Sequence, residues 1–294
     1  MLHPSRRPRR PLGSALNFLV PFHVEPFGLF LALGLVLGVG LSARLGARAG
    51  LDRRLGAEGL FGALVGALLF ARLLYLLGSR APASLPLWFA LGEGGLSGYG
   101  ALLGATLGGL LAFRVHGLRR PELDLARGAR AWLDQGAIGA LVTVAVARLG
   151  CYLSGCDFGR PLTARAPVWV ARLGTFPRSS SSPVWVEQVL RGELGRDSAF
   201  TLPVHPTELY EALGALLLLA ALFARRRVQR QHGELFLLAI VGYALLRFTT
   251  ESLRGDADRG LLLRLSVSQW CALLSAPLSL VALRQLFQRV GRST

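Results

Sequence analysis

The sequence predicts an all-α integral membrane protein of about seven transmembrane helices, with a small extramembrane elaboration between helices 4 and 5. Three observations predict it. Of 294 residues, 52% are hydrophobic and 17% charged, with a mean hydropathy of +0.46; soluble domains carry about 25% charged residues. The apolar residues gather into runs near the length that crosses a bilayer, about 20 residues at 1.5 Å rise each. Such runs are too long for strands, which span about 3–10 residues. The arginines fall mostly between the runs, and there is no lysine.

The first run covers about 27–47, the second 58–78 and the third 96–115. The fourth covers 132–153 and ends in ARLGCYL; the fifth, sixth and seventh cover 207–224, 234–252 and 266–286. Glycines recur at helical spacing in the second and third (Gly62, Gly66; Gly100, Gly104, Gly108), a pattern that lets helix backbones approach closely in lipid. Residues 1–294 read as one polytopic domain, with 157–205 as an outer-face loop within it. The tripeptide VWV occurs in this loop at 168–170 and at 184–186, which suggests paired short strands or an irregular loop with two interfacial tryptophans. The basic start, broken at Asn17, Pro21 and His23 and lacking an A-x-A-like site, argues against a removed signal peptide.

The net charge of +16 would suggest nucleic acid in a soluble protein. Between apolar runs it points to lipid headgroups and topology control, so no nucleic-acid partner is expected. Arg44, Arg48, Arg53 and Arg54 mark the first loop, and Arg119, Arg120, Arg127 and Arg130 the third. Arg225, Arg226, Arg227 and Arg230 mark the fifth, and Arg284, Arg289 and Arg292 the C-terminus. The opposing loop at 79–95 has only Arg80. The positive-inside rule then places the C-terminus in the cytoplasm and the N-terminus outside. Two groups oppose this: Arg6, Arg7, Arg9 and Arg10, and Arg254, Arg259 and Arg264.

Ionisable side chains cost about 2.5–3.5 kcal/mol at the centre of a membrane helix, so they are candidates for function. Arg72 sits in the second run, Arg148 in the fourth, and Arg247 and Glu251 share a face of the sixth. Glu208 and Glu211 open the fifth beside His205. Each has a plainer alternative. Arg72 and Arg148 could snorkel to an interface. Arg247 and Glu251 could simply stabilise their helix, Glu208 could cap its own, and His205 could hydrogen-bond locally. Tyr99 could be an interface anchor, and Gly95, Gly98 and Gly100 are no phosphate loop, since no strand precedes them. Arginines converging at one depth would make a site, because their forks match phosphate oxygens.

Three cysteines are too few for a disulfide framework. Cys151 and Cys156 form C-x4-C, for which a zinc site, a disulfide on an oxidising face and buried thiols remain open. No metal or cofactor is expected.

The segment ARLGCYLSGCDFGRP at 147–161, with HPTELYEA at 205–212 and GYALLRFTTESLR at 242–254, resembles the prolipoprotein diacylglyceryl transferase family. Weaker echoes are FGL at 27–29, FARLLY at 70–75, GLSGYGALLGA at 95–105 and LSVSQW at 265–270, in the family's order. The resemblance implies a seven-helix protein of the bacterial inner membrane. Its implied reaction moves the diacylglyceryl group of phosphatidylglycerol onto the lipobox cysteine of a prolipoprotein, with membrane lipids around it. It implies that Arg148 and Arg247 neutralise the departing phosphate and that Glu251 orients Arg247. Gly159 would allow backbone approach to the headgroup, and Tyr243 would hydrogen-bond in the cavity. Arg72 and His205 are further substrate-binding candidates.

The departures fall at the implied site. Phe27 stands where typical members carry tyrosine, Tyr99 where they carry histidine, and Cys151 and Cys156 where they carry asparagine and glutamate. A tyrosine, with an ordinary pKa of about 10, is a poor base at neutral pH. The acceptor thiol could instead ionise through the arginine field, Asp157 or His205. The pattern suggests a divergent paralogue, so two alternatives stand beside lipoprotein modification. One is transfer of a lipid group to another acceptor, with Cys151 or Cys156 as transient nucleophile; the other is binding of anionic lipid or lipoprotein without turnover. A transporter is less consistent, since no internal repeat is evident.

Overall fold

Helix formation follows the apolar runs. The computed structural model describes residues 26–79, 88, 95–119, 124–179, 182–255 and 261–290. The N-terminal group Arg6, Arg7, Arg9 and Arg10, the breaks at Asn17, Pro21 and His23, and Arg80, Arg120, Arg259 and Arg292 lie outside the described residues. Among the described residues seven long helices are apolar enough to cross a membrane: α1 (Pro26–Arg48), α2 (Arg53–Ser79), α3 (Gly98–Arg119), α4 (Leu125–Ser154), α7 (Thr207–Arg226), α8 (Glu234–Ser252) and α9 (Val267–Val290). The chain is a multi-pass membrane protein. Helices α2 and α4 start earlier than their apolar runs do. Each is capped: Asp52 accepts from Leu55 N at 2.8 Å, and Asp124 accepts from Arg127 N at 3.1 Å. Capping, and not hydropathy, sets these ends.

Two close helix pairs rest on small residues. A Cβ added to Gly66 in α2 would strike the Gly104 carbonyl of α3, and one added to Gly38 in α1 would strike the Gly139 carbonyl of α4. Helices α1 and α4 also exchange hydrogen bonds, Ser42 Oγ donating to Gln135 O at 2.8 Å and Thr143 Oγ1 to Gly34 O at 3.0 Å. Contacts of this kind hold helices together where lipid offers no hydrophobic drive. Helix α4 is the centre of the bundle: its Ile138, Leu141 and Ala145 pack with Leu45, Ala215, Leu222, Leu235 and Ala239 from α1, α7 and α8.

At one end of the bundle Asp134 of α4 caps α8. Its carboxylate, fully buried, accepts from Gly233 N at 2.7 Å, Phe236 N at 2.9 Å and Gln229 Nε2 at 2.6 Å. Gly233 N and Phe236 N are orphan N–H groups of a helix start, satisfied by a neighbouring helix instead of a local cap.

The other end carries the segment between α4 and α7. It packs on Phe158, Phe176, Val184 and Val204, with Tyr152 beside them. Its two VWV tripeptides are neither paired strands nor irregular loop. They lie in two short helices, α5 (Val168–Leu173) and α6 (Pro183–Leu190). Pro167 and Pro183 open these helices, where a fixed φ and a missing N–H suit a helix start, and that outweighs the β-propensity of Val and Trp. At the same end, β1 (Leu261–Leu262) and β2 (Leu265–Ser266) form a hairpin ahead of α9.

Candidate functional site

The last turns of α4 present Arg148 and Cys151 on one face, one turn apart. The helix stops at Gly155, which is left-handed at φ 66° and lets the chain turn back, so that Cys156 N donates to Cys151 O at 3.1 Å. Asp157 is also left-handed, at φ 62°, a region that aspartate tolerates better than most residues. The turn aims its carboxylate back at Arg148, with which it pairs.

Helices α7 and α8 complete the site. Glu211 Oε2 lies 3.1 Å from Arg148 Nε and 2.7 Å from Arg247 Nη1. Arg247 Nη2 lies 2.8 Å from Glu251 Oε2, and Arg254 Nη1 lies 3.8 Å from the same oxygen. Arg254 Nη2 reaches Asp157 Oδ1 at 2.7 Å. The contacts close a ring: Arg148, Glu211, Arg247, Glu251, Arg254, Asp157 and back to Arg148. Three guanidiniums alternate with three carboxylates, so the ring is formally neutral. Glu211 and Glu251 expose 2% and 3% of their side chains, whereas Asp157 exposes 33%. Burial works to raise the Asp157 pKa, but the Arg148, Arg254 and Arg247 cations outweigh it and hold the carboxyl well below the usual carboxylate range.

Polar groups surround the ring. Tyr243 OH donates to Glu211 Oε1 at 2.8 Å, and the Tyr99 ring lies 6.1 Å from the Tyr243 ring, centroid to centroid. The buried Tyr99 OH has no hydrogen-bond partner among the described residues. Arg148 Nη1 approaches Cys151 Sγ at 3.8 Å, and all three cysteines are free thiols. The hydrogen bond to Cys151, burial, and the Asp157 and Glu208 carboxylates push the Cys156 thiol up. Glu208 is not the cap residue, which is Pro206; it lies in the first turn, and among the described residues its carboxylate takes no hydrogen bond beyond that of its own backbone N–H.

Four sequence candidates lie apart from the ring contacts. Arg72, buried in α2, donates to Gly95 O at 3.0 Å and stacks over Tyr75. His205 turns its Nδ1 to Tyr210 OH at 3.4 Å; burial and nearby Arg160 lower its pKa. Gly159 makes its close approach to protein backbone: an added Cβ would strike His205 O and come within 3.0 Å of Leu253 O. Phe27 is 40% exposed, and its N–H donates to Ser154 Oγ at 3.2 Å.

Two ring members, Arg254 and Asp157, escape a reading based on apolar runs. Arg254 counts there as a loop arginine, yet its side chain is only 10% exposed. Its signal is the spacing Glu251-x-x-Arg254, which continues the α8 face by one turn. Glu211 is legible as an ionisable residue opening the fifth run, three residues beyond Glu208. Asp157 has no local signal beyond its place after Gly155, because its role depends on the turn.

The profile of the family described as prolipoprotein diacylglyceryl transferase matches residues 14–285. A Burkholderia lata protein named phosphatidylglycerol–prolipoprotein diacylglyceryl transferase is 33% identical over 228 residues, 73% of this chain and 72% of that protein. A Treponema pallidum protein of the same name is 30% identical over 224 residues, 71% of this chain and 64% of its own length. A Mycolicibacterium paratuberculosis protein of that name is 33% identical over 184 residues, 61% of this chain and 38% of its own length. The chain therefore spans less than two thirds of these last two relatives. With most of its length matched, the chain belongs to the prolipoprotein diacylglyceryl transferase family.

Proposed function

We propose that this chain transfers the diacylglyceryl group of phosphatidylglycerol to the thiol of a prolipoprotein lipobox cysteine, releasing glycerol phosphate. The observation that carries the reading is the ring: three guanidiniums are held at one end of the bundle, and the one carboxylate joining Arg148 to Arg254 is its exposed member. A donor phosphate carries the charge and the paired oxygens of that carboxylate. It exchanges with Asp157 and takes up the Arg148 and Arg254 forks. Arg247 stays fixed behind by Glu211 and Glu251, and Tyr243 holds Glu211 in place.

The acceptor thiolate then attacks the glyceryl carbon. The carbon–oxygen bond breaks, and its electron pair goes to the phosphate oxygen facing the guanidiniums. Fixed cations aimed at the growing charge lower the barrier without reorganising. The Tyr99 OH, without a hydrogen-bond partner among the described residues, donates one to the bound donor. A route through Cys156 is disfavoured, since a thiol held protonated is a poor nucleophile. The reading assigns no step to Arg72, His205 or Phe27.

The loops at the end opposite the ring carry Arg48, Arg53, Arg54, Arg225, Arg226, Arg227 and Arg230. By the positive-inside rule that end faces the cytoplasm, with the ring and the N-terminus outside and the C-terminus inside a bacterial inner membrane.

Purified protein given phosphatidylglycerol and a fluorescent lipobox peptide tests the activity. A diacylglyceryl mass gain on the peptide cysteine is expected. Lipid binding with no mass gain would replace the reading by one of binding without turnover. Cys151→Ser and Cys156→Ser should still form product; its loss in either would restore a cysteine-borne route.

A further inference from the structure

Four carboxyl groups gather at the ring's end of the bundle: Asp157, Glu208, Glu211 and Glu251. Three of them face arginines within 4 Å. Glu208 stands outside the ring. It is 1% exposed, and among the described residues its carboxylate takes no hydrogen bond beyond that of its own backbone N–H. A buried polar group left short of partners costs about 1–3 kcal/mol. The fold keeps one here, in the first turn of α7, three residues before Glu211 and so on the same face.

The surroundings show what this carboxyl meets. Thr207 Oγ1 donates to Asp157 O at 2.7 Å, which pins the start of α7 against the turn after α4. Glu208 is within electrostatic reach of Arg148, Cys151 and Tyr152 on α4, of Cys156 and Asp157 on the turn, and of Arg254 beyond α8. The same turn carries the exposed edge of the ring, where the donor phosphate enters.

We propose that Glu208 takes the proton from the incoming acceptor thiol. This rests on the transfer reading above and supplies the base that reading lacks. A useful proton acceptor has an affinity for protons near that of the working pH. Asp157 is clamped by cations at rest, and once the phosphate displaces it the carboxyl has only the ordinary pKa of an aspartate, about 3.9, and is too weak a base. Glu211 and Glu251 have oxygens engaged by arginines, and the His205 ring is turned to Tyr210. In the step, the acceptor S–H bond breaks and its proton goes to a Glu208 oxygen. The sulfur lone pair forms the bond to the glyceryl carbon as the carbon–oxygen bond breaks. Glycerol phosphate departs with that electron pair, and Glu208 then releases the proton to water.

Glu208→Gln keeps the size of the side chain and removes the base. Product formation from a cysteine peptide should fall by about 10²-fold or more. The residual rate should rise with pH along the ionisation of the acceptor thiol itself, near about 8.5. A selenocysteine peptide, whose selenol is already ionised at neutral pH, should restore the variant to near the wild-type rate. A purely structural role would not give that rescue. Equal loss with both acceptors, or a wild-type rate with cysteine, would overturn the assignment of Glu208 alone. No product from the unaltered chain with either acceptor would overturn the transfer reading and this step with it.

Discussion

Arg148 and Arg247, 99 residues apart in sequence, meet at a single oxygen: Glu211 Oε2 lies 3.1 Å from one and 2.7 Å from the other. Two like charges buried this close need the carboxylate between them. Glu211→Gln should therefore destabilise the fold by about 3–5 kcal/mol, the usual result of removing one partner from a buried ion pair. It should also cut product formation. Thermal unfolding in detergent reads the first effect; an unchanged midpoint would show that the ring does not depend on Glu211.

The ring has a pH signature through its exposed member. The arginines hold the Asp157 carboxyl below its unfolded value of about 3.9, so its ionised form stabilises the fold fully above that value. The contribution fades as pH falls below about 4 toward the folded value. The stability advantage of wild type over Asp157→Asn should thus shrink on acidification, followed by unfolding midpoints at stepped pH. An advantage constant down to about pH 3 would contradict the pairing.

Packing in α2 and α3 makes a separate prediction. Gly66→Leu would drive a side chain into the Gly104 carbonyl and the Gly108 Cα. Overpacking of this sort costs about 1–3 kcal/mol. Denaturation in micelles should show the loss, and Gly40→Leu, with open space around its Cβ, should show none of it. Equal effects would mean that the glycines are there for composition only.

At the opposite end, Asp134→Ala would leave Gly233 N and Phe236 N without their acceptor, and Gln229 Nε2 with Gln231 O alone. Each such group left buried costs about 1–3 kcal/mol. Stability should fall, while the rate per folded molecule stays at the wild-type value, because the ring lies at the far end of α4. A proportionate loss of rate in fully folded protein would show that the two ends are coupled.

Much of this architecture is legible in the sequence because a bilayer imposes one length on every crossing. Ends set by capping are not legible in that way, hence the early starts of α2 and α4 at Asp52 and Asp124. The VWV repeats mislead because the prolines before them decide the local structure. At the site, Arg148, Arg247, Glu251 and Tyr243 stand out as polar residues within apolar helices. Asp157 and Arg254 do not, since each lies just past a helix end and joins the ring only through the fold. The sequence pairs Arg247 with Glu251 but leaves Arg148 and Arg254 as free charge, whereas the structure sets three carboxylates among the three arginines, so in the proposed reaction a phosphate exchanges with a carboxylate.

The most direct test follows product on the lipobox peptide for wild type and Arg148→Ala, with folding checked by circular dichroism. A mass gain with wild type and a loss of about 10²–10³-fold in the variant are expected, the usual cost of removing one group that stabilises developing charge. A folded Arg148→Ala protein that forms product at the wild-type rate would contradict the role proposed for Arg148.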